Sequence, residues 1–243
     1  MGHAHDVNDT ARAALREELT HGRTVQAWAE LQPARMQRLL RALTGWIWRI
    51  VFRARGYGAE HVPSSGALLL CPNHSSWIDG FIQVWNQPRT VRIFGKIEAL
   101  RIPLIGRLLA TAGVFPVVRG AGDERAREIA RLVLDQGDAL MIYPEGTRKG
   151  HEPGRLGRPR SGAALIALQS GAPIVPVASV GIRRDGEPRR WSWPRVTTCY
   201  GEAMYFEGEP TPERVAQVRD DVWNQVARLR EQALQIDRSR GRR

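Results

Sequence analysis

Cysteine and lysine are scarce in this chain of 243 residues, and the scarcity of cysteine excludes whole classes of protein. The only cysteines are Cys71 and Cys199, and they show no zinc-ligand spacing such as C-x-x-C. A disulfide-rich secreted scaffold is therefore excluded, and we expect free thiols, a reducing compartment and no metal site. Lysine occurs only at Lys96 and Lys149, so arginine supplies the other 34 of the 36 basic residues.

Long apolar runs are missing as well. A membrane-spanning helix needs about 18 to 20 consecutive apolar residues, and Arg41, Arg49 and Arg53 interrupt the best candidate. The first 30 residues are polar and lack the apolar core of a secretory signal peptide. We therefore expect neither a membrane-spanning helix nor export.

The formal net charge of +11 indicates a polyanionic partner. Nucleic acid and the anionic face of a cytoplasmic membrane are the two ordinary candidates, and charge alone does not distinguish them. The sequence contains no zinc-finger spacing, no RNP-like aromatic motif and no basic region followed by heptads. We therefore expect a membrane surface and no nucleic acid.

An amphipathic helix is predicted from about Pro33 to Arg55. The apolar residues of this helix form a stripe along one side. The stripe packs against the rest of the protein in one interpretation and lies in a membrane interface in the other. The tryptophans and arginines favour the interface, and we assign residues 1–56 to a helical anchor on the cytoplasmic face of the cell membrane. The apolar residues recur at intervals of three and four and form the stripe: Met36, Leu39, Leu40, Leu43, Trp46, Ile47, Ile50 and Val51.

Residues 57–243 are predicted to form one α/β domain, because short apolar runs alternate with helical stretches from Ala67 onward. The expected architecture is a mixed, largely parallel central sheet flanked by helices, with the N-terminal amphipathic helix as an appendage. Strands are predicted at 67–71, 91–94, 115–118, 139–143, 174–178 and 196–200. Helices are predicted at 9–19, 78–85, 102–112, 123–136, 161–170 and about 211–236.

The most reactive pair of residues, His74 and Asp79, follows the first of these strands. Reactive groups in α/β proteins lie at strand ends. If the chain turns at His74 and enters a helix near Ser76, the Asp79 carboxylate can return to one imidazole nitrogen. The carboxylate then fixes the tautomer and stabilises the imidazolium that forms when a hydroxyl proton is removed. The spacing alone also fits a capping aspartate beside a hydrogen-bonded histidine.

A second motif, Tyr-Pro-Glu-Gly-Thr-Arg at residues 143–148, follows another predicted strand. Gly146 lets the backbone approach a ligand closely, and Thr147 offers a hydroxyl. Arg148 offers a planar fork that matches two phosphate oxygens. A turn stabilised by Pro144 and Gly146 is the simpler interpretation of the same residues.

Four blocks in this order resemble the glycerolipid acyltransferase family, which includes the 1-acylglycerol-3-phosphate acyltransferases. Asn73 to Asp79 match the family's N-H-x-S-x-x-D, and residues 143–148 match F-P-E-G-T-R with tyrosine in place of phenylalanine. The second block begins at Lys96 and ends at Arg119, and the fourth covers residues 172–177. Lys149 replaces the serine that commonly follows the third block.

The resemblance implies a role for each matched residue. His74, supported by Asp79, would activate the free hydroxyl of a lysophospholipid acceptor for attack on an acyl thioester. Lys96 would stabilise the oxyanion or bind the donor, which would be acyl-CoA or acyl carrier protein, with no cofactor and no acyl-enzyme. The glycerol phosphate would be bound by Arg119, Glu145, Gly146, Thr147 and Arg148.

Three other functions are considered. A hydrolase would use Ser75, but adjacent serine and histidine residues do not give triad geometry, and no G-x-S-x-G elbow occurs. A non-catalytic protein that binds anionic lipid or nucleic acid has only the charge in its favour. An acyltransferase for an amino-lipid or glycolipid precursor is the closest alternative.

Overall fold

The computed structural model describes residues 34–76, 79–96, 102, 104–117, 124–146, 155–181 and 195–241. The α-helices in these ranges are α1 Ala34–Ile50, α2 Asp79–Trp85, α3 Ile105–Thr111, α4 Glu124–Asp135, α5 Gly162–Ser170 and α6 Pro212–Gly241. The strands are β1 Arg55–Tyr57, β2 Leu68–Pro72, β3 Val91–Lys96, β4 Val114–Val117, β5 Ala139–Met141, β6 Ile174–Val180 and β7 Thr197–Tyr200. A short 3-10 helix covers Ala59–His61.

The strands form one sheet of seven in the order β1-β7-β6-β2-β5-β3-β4. Every neighbouring pair is parallel except β6 and β7, which are antiparallel. The predicted mixed, largely parallel sheet flanked by helices is confirmed. The predicted helix at residues 9–19 lies outside the described residues.

The central strand β2 is buried along its whole length. Leu69 and Cys71 pack with side chains of α4, α5 and α6, while Leu68 and Leu70 pack in a second cluster that contains Val84 of α2. Since successive side chains of a strand point to opposite faces, α2 lies on one face of the sheet and α4 to α6 lie on the other. Burial on both faces explains the uninterrupted apolar sequence of β2.

The first helix is shorter than predicted. It ends at Ile50, and the backbone at Arg53 adopts a left-handed conformation with φ of 43°. Such a conformation is incompatible with a continuing α-helix, so Arg55 and Gly56 are free to pair with β7. The predicted domain boundary after residue 56 therefore falls inside β1, a strand of three residues whose sequence has no apolar alternation.

One face of α1 is joined to the sheet by polar contacts. Gln37, which is 3% exposed, donates to the carbonyls of Val91 at 2.6 Å and Ala112 at 2.7 Å and accepts from the Val91 N–H at 3.1 Å. Arg41 donates to the carbonyls of Pro88 and Val84. This face of α1 therefore packs on the domain.

The other face of α1 is apolar and open to solvent. Leu39, Leu43, Trp46 and Ile50 are 52%, 60%, 58% and 68% exposed, and they lie on one side of the helix because their spacing is three or four residues. We call these four residues the apolar stripe. The packing interpretation therefore holds for the first face, and a membrane contact of the second face stays a prediction. Among the described helices, none combines the length and apolar character needed to cross a bilayer.

Replacing Gln37 tests how α1 is attached. In Gln37→Ala the Val91 N–H and two backbone carbonyls lose their side-chain partner, and a buried group left without a partner costs about 1–3 kcal/mol. We expect urea titration to give a free energy of unfolding lower by about that amount. The exposed neighbour Arg38 provides a matched control, since Arg38→Ala should change it by less than about 0.5 kcal/mol. Equal values for the two variants would contradict the attachment.

Candidate active site

The carboxylate of Asp79, the first residue of α2, lies at the centre of the candidate site. It is fully buried, and its Oδ2 atom accepts hydrogen bonds from the backbone N–H groups of Ser75 and Ser76, each at 2.6 Å. The same oxygen lies 3.2 Å from Nδ1 of His74. Several hydrogen-bond donors offset the cost of burying a carboxylate. The turn between β2 and α2 is therefore built around this group.

His74 is held in one orientation by groups on two sides. Because a carboxylate only accepts, the Nδ1 atom that faces Asp79 must carry the proton, and Nε2 is the basic nitrogen of the neutral ring. The ring stacks on Tyr143, with centroids 3.8 Å apart and planes inclined by 25°. The residue is buried but retains 8% exposure. This is the geometry of a histidine base with its orienting carboxylate.

Glu145 connects the third block to the first. Its Oε1 atom accepts the backbone N–H of His74 at 2.9 Å, and its Oε2 atom accepts the N–H of Gly157 at 3.1 Å. Since the residue is only 4% exposed, these contacts place a second buried carboxylate beside the histidine. In the structure its carboxylate accepts two backbone N–H groups, and its predicted role in substrate binding stays a prediction.

A buried polar network supports the strand ends behind His74. Asn73 donates to the carbonyl of Ser179 at 3.0 Å and accepts its N–H at 2.8 Å. Gln83 of α2 donates to the carbonyl of Asn73 at 3.2 Å and accepts from the Tyr143 hydroxyl at 2.8 Å. Tyr200 donates to the Gln83 carbonyl at 2.6 Å. The network fixes α2 against β2, β5, β6 and β7.

Gly146 lies in a turn with a positive φ of 65°, a conformation that favours glycine. Its N–H donates to the carbonyl of Tyr143 at 3.0 Å. The side chain of Arg160 lies along it, since a Cβ atom built on Gly146 would be 3.0 Å from Nε of Arg160. The N–H of Arg160 donates to the Pro144 carbonyl at 2.8 Å. An exposed guanidinium thus lies beside the third block.

The structure describes only part of the predicted site. It brings together His74, Asp79, Glu145 and Gly146 at one edge of the sheet, after β2 and β5. The backbone of Lys96 ends β3 and pairs with Val117 of β4, but the Lys96 side chain lies outside the described residues. Arg119, Thr147 and Arg148 also lie outside them, so their assignment stays a prediction.

Several residues of the site were not predicted from the sequence. Gln83, Ser179 and Tyr200 belong to no matched block, and the sequence gives no signal for them beyond polarity inside apolar elements. Tyr143 was noted only as a replacement of phenylalanine, although its hydroxyl anchors Gln83. Arg160 could have been selected as a basic residue close to the third block.

Comparisons with known proteins show which family the chain belongs to. A family model described as acyltransferase matches residues 53–180, which is just over half of the chain. The chain belongs to the acyltransferase family, as the four sequence blocks predicted.

Two curated relatives indicate the range of the family. A 1-acyl-sn-glycerol-3-phosphate acyltransferase of Cocos nucifera is 36% identical over 118 residues, which cover 47% of this chain and 37% of that protein. A lyso-ornithine lipid O-acyltransferase of Pseudomonas aeruginosa is 36% identical over 123 residues, which cover 50% of this chain and 45% of that protein. The chain thus matches less than half of the length of either relative.

A solved structure shares the fold. The crystal structure of the 1-acyl-sn-glycerophosphate acyltransferase of Thermotoga maritima superposes with a TM-score of 0.59 and 19% sequence identity. The match covers 81% of this chain and 79% of that chain.

Glu145→Gln tests whether the carboxylate positions the backbone of His74. Glutamine has one acceptor oxygen, so either the His74 N–H or the Gly157 N–H must face an amide NH₂ group. We expect the free energy of unfolding, measured by urea titration, to fall by about 1–3 kcal/mol. Glu231→Gln is the control, since Glu231 is 67% exposed and its replacement should change stability by less than about 0.5 kcal/mol. Unchanged stability of Glu145→Gln would contradict the positioning role.

Proposed function

We propose that this protein transfers a fatty acyl group from a thioester donor to the free hydroxyl of a lysophospholipid. The proposed acceptor is 1-acylglycerol-3-phosphate, and the product is phosphatidate. The observation that carries the proposal is the pair formed by His74 Nδ1 and the buried Asp79 carboxylate, 3.2 Å apart. The family match and the names of the relatives support the reaction class.

The proposed chemistry begins with the proton of the acceptor hydroxyl. Nε2 of His74 takes this proton as the oxygen attacks the thioester carbonyl, and the imidazolium is stabilised by Asp79. The tetrahedral intermediate then collapses, the carbon–sulfur bond breaks, and the thiolate leaves with a proton returned from His74. Acyl-CoA and acyl carrier protein both supply such a thioester. General-base catalysis of this kind contributes about 10² to 10⁴ in rate.

The local geometry does not favour a serine hydrolase. The hydroxyl of Ser75 lies 3.4 Å from both carboxylate oxygens of Asp79. A nucleophilic serine must instead donate its hydroxyl to the ring nitrogen of the base. Ser75 therefore belongs to the turn around Asp79, and water or the acceptor alcohol is the nucleophile that His74 would serve.

Arginine is proposed to hold the acceptor's phosphate. The hydrogen bond from His74 to Glu145 places the third block directly beside the base, and this block continues to Arg148. A planar guanidinium can bind two phosphate oxygens at once. Arg119 and Arg148 are the predicted ligands, and the side chain of Arg160 lies along Gly146 of the same block.

A second candidate acceptor is the lyso form of an amino lipid. The relative named lyso-ornithine lipid O-acyltransferase is as similar to this chain, at 36% identity, as the Cocos nucifera protein. The same His74 and Asp79 pair would activate either hydroxyl. The acceptor's charged group, phosphate or amino acid, is what would differ.

We also propose that the protein works on the cytoplasmic face of the cell membrane as a peripheral or monotopic protein. The apolar stripe supports this location, because a helix with an apolar face beside arginines can lie in a lipid interface. Ile102 and Leu104 before α3 add further exposed apolar surface.

His74→Ala tests the base. Turnover with acyl-CoA and lysophosphatidate should fall at least about a hundredfold, because the nitrogen proposed to take the hydroxyl proton is removed. Ser75→Ala is the control in the same turn and should keep most of the activity, which also separates this mechanism from a hydrolase. Near-normal turnover of purified, folded His74→Ala would remove His74 from the mechanism.

Arg148→Ala tests the phosphate assignment. We expect kcat/KM for lysophosphatidate to fall at least about tenfold, since a charge-assisted contact to phosphate contributes more than about 1.4 kcal/mol. Acyl-donor hydrolysis and acylation of lyso-ornithine lipid should change much less. Arg148→Lys keeps the charge and should restore part of the activity. Equal losses for all substrates would contradict the phosphate role and favour a role in folding.

A further inference from the structure

A wide cleft of about 1640 Å³ lies beside β1 at the edge of the sheet, between α1, the end of α2 and the end of α6. Of the predicted site residues that the structure describes, His74, Asp79, Glu145 and Gly146 do not line it. We call it the arginine cleft, after its lining residues Arg41, Arg49, Arg53, Arg55, Arg195 and Arg240. Its described lining contains no carboxylate.

Three of these arginines are held in place by the protein. Arg240 donates to the carbonyl of Val196 at 3.1 Å and to the hydroxyl of Thr197 at 2.7 Å. Arg195 pairs with Asp237 at 2.9 Å, and Arg41 donates to backbone carbonyls. These contacts build a rigid cationic wall.

The other three arginines have no such partner. The side chains of Arg49, Arg53 and Arg55 are exposed, and none forms an ion pair or a hydrogen bond within the described part of the chain. Burial, together with the charges of Arg55 and Arg195, lowers the pKa of Arg240, although Tyr57 and Asp237 oppose this effect. The like charges are therefore close enough to repel one another, and a bound anion would relieve the repulsion.

Unpaired donors in the walls favour an anion as well. Among the described residues, Arg41 Nε, Trp48 Nε1, Trp85 Nε1 and Asn86 Nδ2 are buried without a hydrogen-bond acceptor. All four residues line the cleft. Buried donors normally have partners, and these four N–H groups lie within the walls of the cleft without one. A phosphate ester, with several acceptor oxygens and negative charge, has the complementary chemistry.

The position of the cleft on α1 indicates which phosphate ester binds. Trp46 lines the cleft and also belongs to the apolar stripe, so cationic and apolar surfaces meet at this residue. A phospholipid joins a phosphate to acyl chains in the same way. Tryptophan also prefers the level of lipid head groups. A soluble phosphate would make no use of the neighbouring apolar stripe.

We propose that the arginine cleft binds the phosphate of an anionic phospholipid while the apolar stripe contacts the acyl chains. This site is separate from the candidate active site, and the proposal goes beyond acyl transfer because it requires no reaction at His74.

The test is a vesicle co-sedimentation assay with the full chain at about 0.15 M salt, where long-range charge effects are largely screened. Vesicles contain phosphatidylcholine alone or phosphatidylcholine with phosphatidylglycerol. We expect Arg49→Gln/Arg55→Gln to weaken binding to the anionic vesicles about tenfold or more, with the melting temperature unchanged. Arg53 is left in place because its backbone has a positive φ of 43°, so a substitution there would change backbone strain as well as charge.

The control is Arg131→Gln/Arg228→Gln, which removes the same charge from exposed positions of α4 and α6. It should bind the anionic vesicles nearly as well as the unchanged protein. Equal weakening by both double variants would overturn the proposal, because net charge would then explain binding.

A competition experiment distinguishes a lipid head group from a soluble phosphate compound, such as coenzyme A, as the occupant of the cleft. Millimolar coenzyme A or inorganic phosphate should leave the protein on anionic vesicles if the cleft holds lipid. If coenzyme A releases the protein, and the Arg49→Gln/Arg55→Gln variant loses coenzyme A binding, the cleft belongs to the thioester donor and the lipid assignment is wrong. His74→Ala should bind vesicles normally, so failure of the proposed acyl transfer would not affect this result.

Discussion

Two buried carboxylates hold His74, and the rest of the site depends on this arrangement. Asp79 fixes the ring through Nδ1 at 3.2 Å, while Glu145 accepts the backbone N–H of the same residue at 2.9 Å. Either carboxylate would be costly to bury alone. Backbone N–H groups offset this cost by donating hydrogen bonds. Ser75 and Ser76 donate to Asp79, and His74 and Gly157 donate to Glu145. The same contacts that stabilise the charges also position His74.

The sheet explains why residues 71 positions apart in sequence meet at one histidine. β2 and β5 are adjacent and parallel, so their carboxyl ends lie at the same edge. His74 follows β2, and Glu145 follows β5. The other neighbour of β2, β6, carries Ser179, which fixes Asn73 through two hydrogen bonds. Three strands thus support one turn, and the first helix after that turn supplies the aspartate.

The sequence predicted the regular parts of this fold and the pairing of His74 with Asp79, because each follows from a local pattern. Apolar runs predicted six strands within a few residues of their observed bounds, and the blocks identified His74 and Asp79. β1 was missed because its pairing with β7 is non-local. The role of Gln83 was missed for a similar reason, since its partners Asn73, Tyr143 and Tyr200 come from separate strands or strand ends. Local periodicity carries no information about such contacts.

The helix α2 relates the candidate active site to the arginine cleft. Asp79 begins α2 and Trp85 ends it, and Trp85 lines the cleft. A helix of seven residues is about 10 Å long at about 1.5 Å per residue. A phospholipid head group in the cleft would therefore lie about one short helix away from the Asp79 carboxylate. Lysophospholipid acceptors reside in the same bilayer surface, so binding there would bring His74 to the level at which their hydroxyl groups are found. Catalysis and membrane attachment would then depend on one rigid element, fixed to the sheet by Gln83.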